Sequence, residues 1–374
     1  MATFHTLLQM MDTLHTEEDC RVYLENMRWN GKLICPHCGS ISEHHYKLTQ
    51  NGEFKGLYKC KDCRERFTVR QGTMFEGSNL PLKKRFYAIY LFLSHKKGIS
   101  SCQLAKDIGV TQKTAWFMLH RIRHNVRDDD AHFDDMTQMD ETYIGGKTRH
   151  HGKGTQGRSL KDKTPIFGMV SDGLVYAQVV PNVQRKTLFP IIEEKVRKGS
   201  TAMTADLNVY DTLYENYEHK TIPHSRHIYA VNGYHTNSIE GFWSQIKRGI
   251  KGIYYLASPK HLLKYCKEFV FHYNTRKQTD ADRFNDFLGS FTERLYYGEL
   301  LMKPEWGVIG YFYFKQNNEI QLCTFMVGLF MLITYICRAF FLNLFGSLCY
   351  CLGFLLLIHS FSLLLYSNQS KKEV

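Results

Sequence analysis

Apolar residues recur at helical spacing from the start of the chain. Leu7, Leu8, Met11 and Leu14 are followed by Val22, Tyr23 and Leu24, which predicts helix to about Gly31. A cysteine-rich stretch to about Arg70 then has the texture of short strands. After a turn-like EGSNL and Pro81, helical periodicity returns through Phe86, Ile89, Tyr90 and Leu93. A second helical pair follows and ends near Asp128-Asp129-Asp130, an acidic run that reads as a linker. From Met139 the period shortens. QMDETYIGG, PIFGMVSDGLVYAQVV and STAMTAD read as strands, the middle one a hairpin turning at Ser171-Asp172-Gly173. Helical segments LFPIIEEKVRKG, SIEGFWSQIKR and HLLKYCKEFVFHYNTR alternate with or follow them, which predicts an α/β or α+β domain. No internal repeat is visible.

The pattern breaks near the end. Ile320 to Tyr366 is almost wholly apolar, with Arg338 its one charge. By length it allows two membrane spans; a read-through or frameshifted end is the alternative. The expected organisation is a helical segment at 1–33, a ribbon at 34–72, a helical DNA-binding domain at 80–127, an α/β domain at 135–300 and an atypical apolar helical tail at 301–374.

Charge sharpens the picture. The chain carries a net +12, and between Tyr46 and Arg127 seventeen Lys/Arg stand against five Asp/Glu, an excess equal to that of the whole chain. One basic block of this size points to a polyanionic partner rather than to a general surface bias. The eleven cysteines are an odd number, and the first residues have no apolar core of a signal peptide. A disulfide framework is not expected, and a reducing compartment fits better.

Two C-x-x-C pairs, Cys35/Cys38 and Cys60/Cys63, place four thiolates at the tips of two knuckles, the donor set of a closed structural zinc site. Cys20, Cys102 and Cys266 read as packing residues. Between 98 and 123, GISSCQLAKDIGVTQKTAWFMLHRIR has a helix-turn-helix rhythm. Ser100 or Ser101 can cap a first helix with Leu104, Ala105 and Ile108 inward. Gly109 supplies the turn, and Thr111 caps a second helix with Ala115, Met118, Leu119 and Ile122 inward. That leaves Gln112, Lys113, Trp116, His120 and Arg123 for a DNA groove or its phosphates.

Acids recur in an order that suits metal-dependent phosphodiester chemistry, as in RNase H-like folds: one on a first strand, one after a later strand, one on a following helix. Alternation along QMDETYIGG separates Asp140 from Glu141, and Asp140 is taken as the first ligand. Asp206 follows the apolar TAMTA. For the third, HTNSIEGFWSQIKR offers Asn237 and Glu240. Lys247 lies two helical turns beyond Glu240 on the same face, placed to meet a phosphate, whereas Ser244 holds that relation to Asn237. A carboxylate also offsets the charge of Mg²⁺ where an amide does not. Glu240 is therefore preferred, with Asn237 as a cap or secondary contact. Arg248 and Lys251 are expected along the DNA path. Lys147 and Arg149 fall in a glycine-rich loop, 145–163, that reads as an arm ordering on DNA. His224, His227 and His235 read as structural histidines, and Tyr254 and Tyr255 as a packed pair or a DNA contact.

MDETYIGGK (139–147), Asp206 with NVY behind it, HTNSIEGFWSQIKRGIKGIYY (235–255) and YCKEFVFHYNTR (265–276) together resemble a group of insertion-sequence transposases similar to the eukaryotic Merlin transposons. The resemblance spans about residues 17–290. It implies a zinc ribbon, a helix-turn-helix and a DDE-type RNase H-like core. It also implies two Mg²⁺ (or Mn²⁺) ions, double-stranded DNA as substrate at terminal inverted repeats and target, and a homodimer or larger assembly. Some members look as though Asn takes the third acid's place in H-x-N-x-x-E, so the resemblance leaves Asn237 open beside Glu240. The apolar tail departs from it. A bacterial protein of this kind is expected in the cytoplasm on the nucleoid, a eukaryotic one in the nucleus. A regulator that binds DNA through the same ribbon and helices without catalysis is the second reading. A DNA-binding protein anchored by an inserted tail is the third.

Overall fold

A computed structural model of the 374-residue chain describes residues 4–126, 131–145, 163–223, 230–290 and 294–301. The apolar tail, Lys147, Arg149, His224 and His227 lie outside the described residues. Among the described residues no helix is long and apolar enough to cross a membrane.

The opening helical pattern resolves into two helices, α1 (Leu7–Thr13) and α2 (Glu17–Trp29). Thr16 accepts from the Asp19 backbone N–H while the Asp19 carboxylate accepts from that of Thr16, a capping box that restarts the helix. A three-stranded antiparallel ribbon follows: β1 (Tyr46–Gln50), β2 (Glu53–Lys59) and β3 (Arg66–Phe67). Trp29 of α2 packs edge-on against Tyr58 and Phe67, which stack on each other 5.5 Å apart, so the ribbon shares a core with the helices before it.

Three helices come next: α3 (Leu82–Ser94), α4 (Ser101–Ile108) and α5 (Gln112–Asn125). Ser100 caps α4 by accepting from the Gln103 N–H, Thr111 caps α5 from the Thr114 N–H, and Gly109 makes the left-handed turn between them (φ 62°). The predicted inward residues of both helices are buried.

The second half is a five-stranded mixed sheet made of β4 (Thr137–Gly145), β5 (Lys163–Ser171), β6 (Leu174–Val179), β7 (Thr201–Ala205) and β8 (Glu218–Ile222). Their order is β6-β5-β4-β7-β8. The first three strands form an antiparallel meander, and β4–β7 and β7–β8 pair in parallel. Helix α6 (Arg185–Lys195) leads into β7 and buries Leu188 and Ile192 with Met139, Phe167 and Met169 on one face of the sheet. After the short pair β9 (Ala230–Val231) and β10 (Tyr234–His235), helix α7 (Asn237–Gly249) lies against β4. It runs into a π-helical turn at Ile250–Tyr254. Helices α8 (Pro259–Asn274) and α9 (Asp280–Ser290) then pack back, α8 on α5 and β6 and α9 on α2 and α3; a short α10 (Tyr297–Leu301) ends the described part.

Helix α5 departs from expectation. It has two buried faces, because α8 covers the side on which Trp116, His120 and Arg123 lie. Arg123 is 1% exposed, donates to Glu268 Oε2 at 2.7 Å, and has Tyr265 (4.2 Å) and Tyr254 (5.1 Å) against its guanidinium. His120 is fully buried among Trp116, His261 and Tyr265. Neither residue is available to a DNA groove; both belong to the α5–α8 seam. Gln112 and Lys113, at the start of α5, stay exposed. Cys20 and Cys266 are buried as expected, but Cys102 is exposed on α4.

The seam makes two stability predictions. Removing one partner of a buried ion pair strands the other charge, so Glu268→Ala should cost about 3–5 kcal/mol, read as a fall in the urea midpoint. An Arg123→Met/Glu268→Leu double replacement should recover most of that loss. Burial, with Arg123 nearby, holds the His120 imidazole down at about 2, and burial holds that of His272 at about 4. Both are neutral in the folded protein, while the unfolded chain takes up protons below the ordinary histidine value of about 6.5. Stability is therefore complete above that pH and is lost as pH falls. At pH 5.5 the loss should be about 1.4 kcal/mol for each of the two, and replacing His120 by Phe should flatten the decline of melting temperature with acid.

Candidate active site

The cysteine cluster and the acidic cleft are built by different local rules. In the ribbon, each C-x-x-C pair is a tight turn. The N–H of Gly39 bonds the Cys35 carbonyl, and the Cys60 N–H bonds the Glu65 carbonyl. Gly39 and Arg64, each following the second cysteine of its pair, take the left-handed conformation that folds the knuckle (φ 72° and 63°). The four sulfurs lie within 4.8 Å of one another, with Cys35–Cys63 and Cys38–Cys60 at 3.7 Å. Sulfurs held at about 2.3 Å by one tetrahedral zinc would stand roughly 3.8 Å apart, so the donor set and spacing fit Zn²⁺. The predicted zinc ligands are brought together as a group.

The acidic cleft forms where α7 crosses β4. Strand alternation sends Gln138 and Asp140 toward α7 and Glu141 toward the α6 side. Gln138 Oε1 accepts from the first backbone N–H groups of α7, at Ser238 (3.0 Å) and Ile239 (3.2 Å), and so pins the start of the helix to the strand. At the next residue, Thr236 donates to Glu240 Oε1 at 3.2 Å. One turn along, Trp243 Nε1 donates to Asp140 Oδ2 at 3.0 Å. On the other face the Glu141 carboxylate accepts from Tyr210 at 3.0 Å. Asp140, Glu240, Trp243, Lys247, Arg248 and Lys251 line one cleft, with Glu141 also on its wall; the acids are partly buried and the cations exposed. Burial, reinforced by the charges of Glu141 and Glu240, pushes the Asp140 carboxyl up to about 7. A group of hard carboxylate oxygens that resists holding its own negative charge fits a hard divalent cation.

Of the other predicted residues, Asn237 is exposed at the first position of α7 and does not line the cleft. Asp206 is exposed immediately after β7, at the mouth of the sheet. The parallel register Met139↔Thr204 sets it level with Glu141, one strand over from Asp140, and it does not line the cleft either. His235 Nδ1 lies 3.4 Å from Gln138 Nε2, as a structural histidine would. Trp243 is the functional residue that sequence reasoning misses, although its place three residues after Glu240 on the same helical face is a signal. What makes room for it is Gly168, the β5 partner of Asp140. A Cβ there would sit 2.5 Å from the indole ring.

The chain matches the ISXO2-like transposase domain over residues 133–274 and the transposase zinc-ribbon domain over residues 15–66. An uncharacterized transposase-like protein of Haemophilus influenzae is 40% identical over 102 residues, 27% of this chain and 80% of that protein. An uncharacterized protein in the transposable element ISH50 of Halobacterium salinarum is 25% identical over 253 residues, 63% of this chain and 84% of that protein. The solved Mos1 pre-cleavage transpososome and strand transfer complex are each 14% identical across 56% of this chain and 79% of theirs. At TM-scores of 0.20 and 0.18 that correspondence is too loose to bear on mechanism. With the zinc ribbon and the mixed-sheet domain both matched, the chain belongs to the family of insertion-element transposases that carry an ISXO2-like domain behind a zinc ribbon.

Proposed function

We propose that the protein is a DNA transposase that cuts and rejoins the terminal inverted repeats of its own mobile element, through metal-dependent hydrolysis and transesterification of phosphodiesters. The observation that carries this reading is the cleft itself. Asp140 and Glu240, a hundred residues apart in the chain, meet in it beside Lys247, Arg248 and Lys251. The strand order with an acid on the central strand supports an RNase H-like core. The Ser100- and Thr111-capped pair α4–α5, with Gln112 and Lys113 outward, supports a helix-turn-helix that reads duplex DNA.

On this reading Asp140 and Glu240 would hold magnesium or manganese at the cleft, two ions where Asp206, which stands outside the cleft at the mouth of the sheet, joins them; when bound the ions supply Lewis acidity to the attacking and leaving phosphate oxygens. The chain's own groups do the positioning. Trp243 fixes the Asp140 carboxylate and Thr236 that of Glu240. Lys247 and Lys251 draw the phosphate backbone over the acids, and the oxygens attacking in line are those of water, then of the freed 3′-hydroxyl. No side chain serves as a covalent nucleophile. Target DNA and a second copy of the chain, one for each element end, are the expected partners. Lys147 and Arg149 in the 145–163 loop would add phosphate contacts.

The test is magnesium-dependent cutting of the repeats that flank the gene by the full-length protein, with Asp140→Asn as the inactive control. A protein that binds those ends yet leaves them intact would be a DNA-binding regulator instead.

A further inference from the structure

The cleft-lining residues of α7 and of the turn that follows it recur at helical spacing, from Glu240 through Trp243 and Lys247 to Lys251. The next two residues at that spacing are Tyr254 and Tyr255, and the structure treats them oppositely. Beyond Gly249 the helix passes into the π turn, which closes one residue later than an α turn and so changes which tyrosine follows the stripe. Tyr254 turns inward and donates to Glu268 Oε1 at 2.6 Å. Tyr255 is left 83% exposed, with Leu256 beside it at 67%.

The backbone that presents them is unusual. Tyr255 has φ 60° and ψ −42°, and the Leu256 N–H bonds the Tyr254 carbonyl at 2.6 Å across it. That is a γ-turn of the rare, strained form. A non-glycine residue adopts such a geometry only where its surroundings enforce it, and such strain clusters at functional sites. Here Tyr254 is half-buried and hydrogen-bonded to Glu268 on one side, and Ala257 is buried on the other. Neither exposed side chain gains anything from the fold by standing in water at the end of a row of cations.

We propose that Tyr255, flanked by Leu256, is a stacking platform for an unpaired nucleobase at the DNA end held in the cleft. The proposal rests on the transposase reading and names the part of the substrate that this corner of the site takes. Lys247, Arg248 and Lys251 supply the charge complementary to a nucleic acid strand. A tyrosine face and an adjacent leucine supply what phosphates do not ask for, a flat apolar surface for a base. Bases inside a duplex already stack on their neighbours, so the occupant is a base freed by breakage or fraying. Leu256 is placed to fill the step that the base leaves.

The test uses the full-length protein and two DNA probes. One is a blunt duplex; the other is the same duplex ending in a short single-stranded 3′ overhang that carries 2-aminopurine. The unmodified protein should bind the overhang about tenfold more tightly than the blunt end, with the 2-aminopurine fluorescence quenched. Tyr255→Ala should lose both the preference and the quenching while its affinity for the blunt duplex stays unchanged, and Tyr255→Phe should keep both. An unmodified protein that binds duplex without overhang preference, or a Tyr255→Ala protein that retains it, overturns the platform alone. Failure to bind either probe overturns the transposase reading with it.

Discussion

Glu240→Gln should abolish magnesium-dependent cutting, slowing strand cleavage by roughly a thousandfold, the several kcal/mol expected when a metal-holding charge is lost. Asn237→Ala should leave the rate within a few fold. The two residues sit one turn apart on α7, yet only Glu240 faces the cleft that holds Asp140, and only Glu240 is oriented by a neighbour, the Thr236 hydroxyl. Glutamine keeps the volume and still offers an oxygen to Thr236, so the variant should fold and melt as the parent does. What it lacks is the anionic oxygen that offsets a divalent cation. The measurement is a cleavage time course on the repeat ends, with melting curves of each variant. A dead Asn237→Ala beside an active Glu240→Gln would move the third ligand to the amide.

Replacing Cys60 with serine should cost the protein its zinc and with it the fold of the ribbon. Structural zinc contributes on the order of 10 kcal/mol to small sites of this kind. With only three strands, β3 being two residues long, the ribbon has little else to hold it. Metal analysis should find one zinc per unmodified chain and none in the variant. The near-ultraviolet circular dichroism of the Trp29–Tyr58–Phe67 cluster should collapse with it, because those rings are held between α2 and the ribbon strands. The mixed sheet, with its own core of Met139, Phe167, Leu188 and Ile192, should survive. Loss of zinc with an unchanged aromatic signal would mean that the strands stand without the metal.

How legible this was in the sequence depended on range. Caps, knuckles and strand alternation are local, so Ser100, Thr111, the four cysteines and the opposite facing of Asp140 and Glu141 could all be read from spacing. The second buried face of α5 could not. His120 and Arg123 have the composition of a DNA-contacting surface, and the helix that covers them begins at Pro259. Charge and periodicity describe a helix in water and do not reveal a partner so distant in the chain. The same limit hid Trp243 and Gly168. Each looks unremarkable alone, and they acquire meaning only when β5, β4 and α7 are stacked. Tyr254 and Tyr255 are indistinguishable in the sequence for a related reason, since an α-helical wheel puts both on one face and the π turn that parts them leaves no signature in residue type.

The seam between α5 and α8 has a consequence for the element itself. If α5 reads duplex DNA at its exposed start, its far end is bolted through Arg123 and Glu268 to the helix that follows the cleft. The protein then acts as a ruler. The sequence it recognises and the bond it cuts should be separated by a fixed number of base pairs. Inserting half a helical turn, about five base pairs, between them should suppress cutting by rotating the scissile bond to the wrong side of the duplex. A full turn of about ten should restore the phase but not the reach. The spacing within the terminal repeats would then be under as tight a constraint as their sequence, and it would be set by a salt bridge that never touches DNA.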